Sequence, residues 1–318
     1  MNIPNFNYPN NCPVCLMGKK FIFIKNYNLK ENSLSLYQCQ KCKTQFYLPF
    51  KSINKENYER RDTSKINEAI KPKIYRGYHK KFLRINKAFI KGTKVLDLGC
   101  GTGEFLNELK KRGCDVWGVD FDKNAIRSAE EHFNLKNIYD SSFEDFFKRK
   151  NLPKFDIIAS FQVLQSLDNP LEFIKNIKKI LKPNGKITLS VQSRKRAIAD
   201  YNSWEFPPTT LTKWDEESIA NFFSEINFQI SHISYVEGFK TIIEAFNDKT
   251  RLNLVSKTMN ISKKIQDKSF FLPRIVYFLG RLKAYVIAFL PAFIIWLWGK
   301  ITKKENGIIF IELENAHD

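Results

Sequence analysis

The run Val95-Leu-Asp-Leu-Gly-Cys-Gly-Thr-Gly103 constrains the fold of this chain more than any other stretch. Its first half is apolar and strand-like. Its second half places Gly99, Gly101 and Gly103 in a turn, and Glu104–Arg112 follows at once with helical spacing. A strand that bends through glycines into a helix presents backbone free of Cβ atoms beside a helix N-terminus, and a ligand can lie there. A dinucleotide-binding turn would require Gly-x-Gly-x-x-Gly. Counted from Gly99, the third glycine falls on Glu104; counted from Gly101, it falls on Leu106. The pattern is not met, and Glu104 would repel a pyrophosphate while tolerating a cation.

Two carboxylates frame this turn. Asp97 ends the first strand, where it can accept hydrogen bonds from an amino-acid portion of the ligand. Asp120 closes the next strand-like run, Val116-Trp-Gly-Val-Asp120, where an acidic side chain can accept from both hydroxyls of a ribose. Downstream the pattern keeps alternating. Strands are expected at Lys94–Leu98, Asp115–Val119, Asn137–Tyr139, Phe155–Ser160, Gly185–Gln192 and Gln229–Glu237. Helices are expected at Glu104–Arg112, Lys123–Phe133, Pro170–Leu181 and Ser218–Ile226. Such alternation specifies an α/β fold with a parallel sheet covered by helices.

The 318 residues suffice for one large domain with a small module attached. Composition divides them into segments 1–50, 51–91, 92–239, 240–306 and 307–318. The last contains a final strand, Gly307–Glu314, and Ile74–Ile90 has helical apolar spacing. A net charge of +19 directs attention to acidic partners such as phosphate, nucleic acid or an anionic membrane face. Richness in Lys, Asn, Ile and Phe together also fits compositional drift, which spreads Lys over any surface. Met1–Pro9 lacks the charged and apolar pattern of a signal peptide, so a cytoplasmic protein is expected.

Four of the six cysteines form two close pairs, Cys12-Pro-Val-Cys15 and Cys39-Gln-Lys-Cys42. Between and after them lie β-like runs at Phe21–Ile24, Leu34–Tyr37 and Phe46–Leu48. Two such knuckles joined by a hairpin bring four thiolates into a tetrahedron that suits structural Zn²⁺, with iron or redox chemistry as the alternative. Four sulfurs leave no open position for catalysis by the metal.

Residues 94–192 resemble the class I S-adenosylmethionine-dependent methyltransferases, and residues 1–237 resemble the bacterial subset with an N-terminal zinc ribbon. The resemblance implies a Rossmann-like, seven-stranded sheet and S-adenosyl-L-methionine as cofactor. It places Asp97, Gly99, Cys100, Gly101 and Gly103 along the methionine side, Asp120 at the ribose and Phe121 beside the adenine. Ser142 and Phe143 match the loop bordering the adenine. Phe161 and Gln162 match the loop beneath the methionine moiety, and Leu181-Lys-Pro-Asn-Gly185 matches the turn before the fifth strand.

The chain also departs from that family. Where Leu-Glu-His is common it has Leu164-Gln165-Ser166, and where many relatives show Pro-Pro-His-His it has Pro207-Pro208-Thr209-Thr210. No catalytic base is therefore assigned. By segment, His79, Asp200 and Tyr201 lie nearest the acceptor side, and Tyr201 and Trp204 fall in a loop usual for acceptor contacts.

Residues 240–306 are basic and helix-prone and lead into two apolar runs, Phe270–Leu282 and Ala284–Gly299. The second is shorter than the roughly 20 residues of a membrane span, and Pro291 interrupts it. Arg281, Lys283 and Lys300 flank it and Trp296 and Trp298 sit in it, as in a helix lying in a membrane interface. If Gln229–Glu237 and Gly307–Glu314 pair in one sheet, the stretch between them must leave and return on one membrane side. The expected activity is methyl transfer to a small or lipid-linked acceptor, such as a surface-glycan sugar, with peripheral membrane contact through residues 270–300. RNA is the less favoured acceptor, because no aromatic-basic RNA-binding motif accompanies the charge. A non-catalytic cofactor-binding protein is the third reading, since the histidines are missing.

Overall fold

In the computed structural model the described residues are 9–28, 33–51, 76–86, 91–196, 205–236, 289–298, 301 and 307–315. They divide into two compact units. The first holds residues 1–194, 204–236 and 308–318, and the second holds 195–203 with 237–307.

The first unit begins with the antiparallel strands β1 (Phe21–Asn28), β2 (Ser33–Cys39) and β3 (Gln45–Leu48). Helix α1 (Gly77–Ile85) precedes the main sheet. Then come β4 (Lys94–Leu98), α2 (Glu104–Lys111), β5 (Asp115–Asp120), α3 (Lys123–Phe133), β6 (Ile138–Asp140) and α4 (Phe143–Phe147). Strand β7 (Phe155–Phe161) runs through a single 3-10 turn, Leu164–Ser166, into α5 (Pro170–Ile180) and β8 (Leu181–Gln192). Two-residue β9 (Thr212–Lys213), α6 (Glu216–Ser224), β10 (Phe228–Val236) and β11 (Ile308–Asn315) complete the unit.

The main sheet has seven strands in the order β6-β5-β4-β7-β8-β11-β10. Neighbours from β6 to β8 are parallel, whereas β11 pairs antiparallel with both β8 and β10. Burial follows from this order. Central β4 and β7 are apolar and buried almost throughout because helices cover both faces, while edge strand β10 alternates in exposure. The turn matched to Leu181–Gly185 lies at the start of β8, where pairing with β7 skips from Phe155↔Leu181 to Ile157↔Lys186.

Helix starts are written in the sequence. Asp122 accepts from the amides of Asn124 and Ala125 to cap α3. Asn169 caps α5 ahead of Pro170, and Asp215 and Ser218 form a capping box on α6. Helix α2 differs: its N-cap is Gly103, in the left-handed region, and no side chain caps it. Its first turn therefore keeps donors free for another acceptor.

The cysteine strands are no separate bead. Strand β9 pairs with β3, so a segment that follows the main sheet's β8 supplies the fourth strand of the ribbon sheet. Cys12, Cys39, Cys42 and Phe46 lie in the same buried cluster as Leu96, Leu164 and Trp214.

In the second unit the described residues contain a helix at 289–298, α7. It is apolar in every direction and largely exposed, with Leu290, Ile294 and Trp298 each more than half accessible. Among the described residues no helix is long and apolar enough to cross a membrane. The expected run Phe270–Leu282 and the flanking Arg281, Lys283 and Lys300 lie outside the described residues.

Gly103 offers a test of this packing. Its φ is +78°, and a Cβ would come within 2.8 Å of both Ala129 Cβ and Leu135 Cδ1. Gly92 has φ +75° with nothing within 4 Å. Gly103→Ala is expected to destabilise by about 2–4 kcal/mol, from left-handed strain plus overpacking, and Gly92→Ala by about 1 kcal/mol from strain alone. Urea unfolding of the two variants checks the order.

Candidate active site

The glycine bend is held by the neighbouring strand. Val119 C=O accepts from the amides of Gly99 (2.7 Å) and Cys100 (3.1 Å). Gly99, Gly101 and Gly103 all have positive φ, which residues with a Cβ rarely adopt. A Cβ at Gly99 would strike Val163 Cγ2 at 2.5 Å, whereas one at Gly101 would meet nothing within 4 Å. The backbone at Gly101 thus borders open space.

Asp120 faces this bend. Its Oδ2 accepts from the Gly101 amide at 2.8 Å and its Oδ1 from the Asp122 amide at 2.9 Å. Burial raises its pKa, and those amides oppose the rise. Asp97 is buried at the end of β4, and its Oδ1 has no hydrogen-bond partner. Burial, with the Asp120 charge adding to it, pushes its carboxyl up to about 8. A buried carboxyl with an open acceptor atom, beside a second carboxylate, suits a cationic donor. Thr102 donates to Glu104 at 2.6 Å, which keeps a further carboxylate at the start of α2.

The other expected positions lie at or just past the C-terminal ends of β4, β5, β6 and β7, which are neighbours in the sheet. Cys100 is buried against Gly118, where an added Cβ would lie 2.8 Å from its sulfur. Phe121 follows Asp120 and is half-buried. Ser142 is committed to structure: its hydroxyl accepts from the Asp145 amide and caps α4. The Phe143 ring packs edge-on against Phe173, with centroids 5.1 Å apart. Gln162, at φ +62°, ends β7 and ties its amide to Ser190 C=O and its Nε2 to Ser190 Oγ.

Phe161 lies under an aromatic cluster from α1 and α2. His79 stacks on Phe105 at 4.5 Å between centroids and meets Phe161 edge-on at 5.1 Å. Burial, then the Arg76 charge, lowers its imidazole to about 3. The ring is neutral near pH 7 and a weak proton acceptor, so it packs rather than serving as a base. Asp200, Tyr201 and Trp204 lie outside the described residues.

Gln165 carries a role its sequence position did not announce. It is buried, its Nε2 donates to Gln162 C=O at 2.9 Å, and its Oε1 has no partner. The only sequence signal was its departure from the family's Leu-Glu-His pattern.

The four cysteines of the two pairs are all buried, and their sulfurs lie within 4.8 Å of one another. Each knuckle repeats one turn. Leu16 donates to Cys12 C=O and Lys43 to Cys39 C=O, with φ +58° and +62° respectively. Hydrogen bonds from neighbouring sulfurs, Cys12 foremost, bring the Cys39 thiol down to about 7 and Cys15 lower still. The same sulfur contacts push Cys12 up, burial adding to them, and Cys42 is raised as well, so the fit to Zn²⁺ rests on four buried sulfurs in close cluster.

Comparison with known proteins agrees with this geometry. Residues 70–233, just over half the chain, match the family described as a methyltransferase domain. The mitochondrial ubiquinone biosynthesis O-methyltransferase of Dictyostelium discoideum is 30% identical over 169 residues, covering 45% of this chain and 52% of that protein. The ubiquinone biosynthesis O-methyltransferase of Coxiella burnetii strain Dugway 5J108-111 is 35% identical over 107 residues, 33% of this chain and 46% of that one. The chain thus spans about half the length of the curated relatives it matches. The crystal structure of the cyclase SpnF superposes with a TM-score of 0.53 at 15% identity, over 85% of this chain and 99% of that one, a likeness of fold alone. With the matched residues carrying the glycine bend and both framing carboxylates, the chain belongs to the class I S-adenosylmethionine-dependent methyltransferases.

Proposed function

We propose that this protein transfers a methyl group from S-adenosyl-L-methionine to a small-molecule acceptor. The carrying observation is the buried, unpartnered Asp97 Oδ1 beside an Asp120 carboxylate turned onto the open backbone at Gly101. In this reading Asp97 accepts from the cofactor's ammonium group, and Gly99, Cys100, Gly101 and Gly103 let the methionine side approach the backbone. Asp120 accepts from the ribose hydroxyls. Phe121 and Phe143 flank the adenine, with Ser142 beside them. Phe161 and Gln162 lie below the methionine end.

The sulfonium supplies an already activated methyl group, so the chain's work is alignment and exclusion of water. Buried carboxylates favour the cation, and the neutral His79 adds no opposing charge. The relatives are named for O-methylation, which supports an oxygen nucleophile. The exposed apolar helix α7, in a chain of net charge +19, supports an acceptor met at an anionic membrane surface, including a lipid-linked one. Zn²⁺ held by Cys12, Cys15, Cys39 and Cys42 would be structural.

Calorimetry tests the site. Asp120→Ala is expected to weaken cofactor binding by about 10- to 100-fold, the worth of hydrogen bonds to a charged group. Burial, then the Asp120 charge, pushes the Asp97 carboxyl up to about 8. Its folded pKa is raised, so between its unfolded and folded values the native state holds the extra proton and stability falls as pH rises. A bound cation expels that proton, so affinity is expected to climb by up to about tenfold per pH unit towards pH 8. Asp97→Asn should flatten this climb; an unchanged slope would remove Asp97 from the site. Metal analysis is expected to return one zinc per chain, lost when Cys12 and Cys39 are both replaced by Ser. Sedimentation with vesicles containing anionic lipid should carry the chain down, and Phe293→Asp with Leu297→Asp should leave it in the supernatant. A wild-type chain that stays in solution removes the membrane from the reading and leaves the methyl transfer.

A further inference from the structure

We infer that the cysteine ribbon is a positioning element for the loop after β7, so that metal in the ribbon and cofactor in the sheet bind cooperatively. The inference rests on the proposed function for its second ligand. Its structural half stands independently.

The path begins at β3. Phe46 pairs with Thr212 and Gln45 with Lys213, so the ribbon sheet ends on β9. Leu211, just before β9, is held from both sides. Its carbonyl accepts from the Tyr47 amide at 3.0 Å, and its amide donates to Gln165 C=O at 2.8 Å. The Thr212 hydroxyl donates to the same Gln165 carbonyl at 3.3 Å. Gln165 in turn donates through Nε2 to Gln162 C=O at 2.9 Å. A short run of hydrogen bonds therefore joins a ribbon strand to the left-handed residue that ends β7.

A second tie bypasses the first. Arg194, just beyond β8, donates through Nη1 to Lys43 C=O at 2.7 Å and through Nη2 to Asp215 at 2.7 Å. Lys43 is the residue that closes the second knuckle by donating to Cys39 C=O. The knuckle's turn and the end of a sheet strand thus share one guanidinium.

The contacts around Leu211 are dry. Leu211, Thr212, Trp214 and Asp215 are each at most 1% exposed. Water cannot replace a partner that withdraws, so losing β3 would strip the Leu211 carbonyl of the Tyr47 amide and free Leu211 to shift together with the Gln165 carbonyl it holds. A metal bound by Cys12, Cys15, Cys39 and Cys42 would tie four separate chain positions into one cluster and stiffen the strands between them. Metal binding therefore fixes β3, β3 fixes Leu211, and Leu211 fixes the turn bearing Gln165 and Gln162. A module that merely gripped an acceptor from a tether would need neither the shared strand nor the Arg194 clamp. Linkage makes the effect reciprocal: a ligand that favours the ordered loop must also favour retention of the metal.

The test uses the zinc-loaded full chain with S-adenosylhomocysteine as probe. Zinc release to a chromogenic chelator is expected to slow by roughly fivefold or more when the probe is saturating. Arg194→Met should keep the zinc stoichiometry but lose most of that slowing, and Arg194→Lys should restore part of it. Amide exchange supplies a readout that needs no cofactor. In the zinc-stripped chain, residues 162–166 and 211–214 are expected to exchange at least about tenfold faster while β5 keeps its rate. Faster exchange confined to residues 9–48, or zinc release indifferent to a probe shown by calorimetry to bind, would overturn the inference and leave the methyltransferase reading standing. A probe that fails to bind counts against that reading instead, and the exchange measurement then decides the inference alone.

Discussion

The hydrogen bond from the Gly101 amide to Asp120 Oδ2 joins the ends of two adjacent parallel strands, and the site's geometry depends on it. The bend leaves β4 through backbone angles available to glycine, and the neighbouring strand receives its amides in turn, first at Val119 and then at Asp120. Holding Asp120 there places a second buried acid close enough to Asp97 to raise it. Two carboxylates in poor solvent are costly unless a cation arrives, so the free protein stores an electrostatic preference for a positively charged ligand. The backbone at Gly101, which Asp120 holds, borders open space.

The same economy of contacts ties the ribbon to the sheet. Each knuckle needs one residue in the left-handed region, Leu16 in the first and Lys43 in the second, and Gly18 passes so close to Cys39 that a Cβ would lie 2.3 Å from its sulfur. The buried residues around the sulfurs continue without a break into those under β4 and α6. Apolar continuity of this kind means that the ribbon's order and the sheet's order are not separable quantities.

Much of the sheet was legible in the residues. Buried parallel strands need near-continuous apolar runs, as in Val95–Leu98 and Ile157–Phe161; the caps Asp122, Asn169 and Asp215 are seen in the structure, the last of them starting its helix two residues before the expected Ser218. The glycine spacing excluded a pyrophosphate turn and pointed to the two carboxylates. Less visible were elements whose stability comes from a partner distant in sequence. Strand β9 is two residues long and has no pattern of its own; it exists because β3 offers it a ladder. Helix α4 is five residues long, and its capping Ser142 resembled a loop residue until its hydroxyl was seen on the Asp145 amide. His79 had the chemistry of a base, but stacking on Phe105 withdraws it from water and from protons.

The sequence by itself determined the fold class, the glycine bend with its two acidic partners, and the four clustered sulfurs. These depend on backbone freedom, strand periodicity and ligand spacing, which are local properties written in consecutive residues. Only the tertiary structure decided that Asp97 keeps an unpartnered oxygen, that Gln165 links the site loop to the ribbon, and that Arg194 bridges a knuckle to the end of β8. Burial and hydrogen-bond satisfaction belong to the neighbours a residue acquires on folding, and no local pattern carries them.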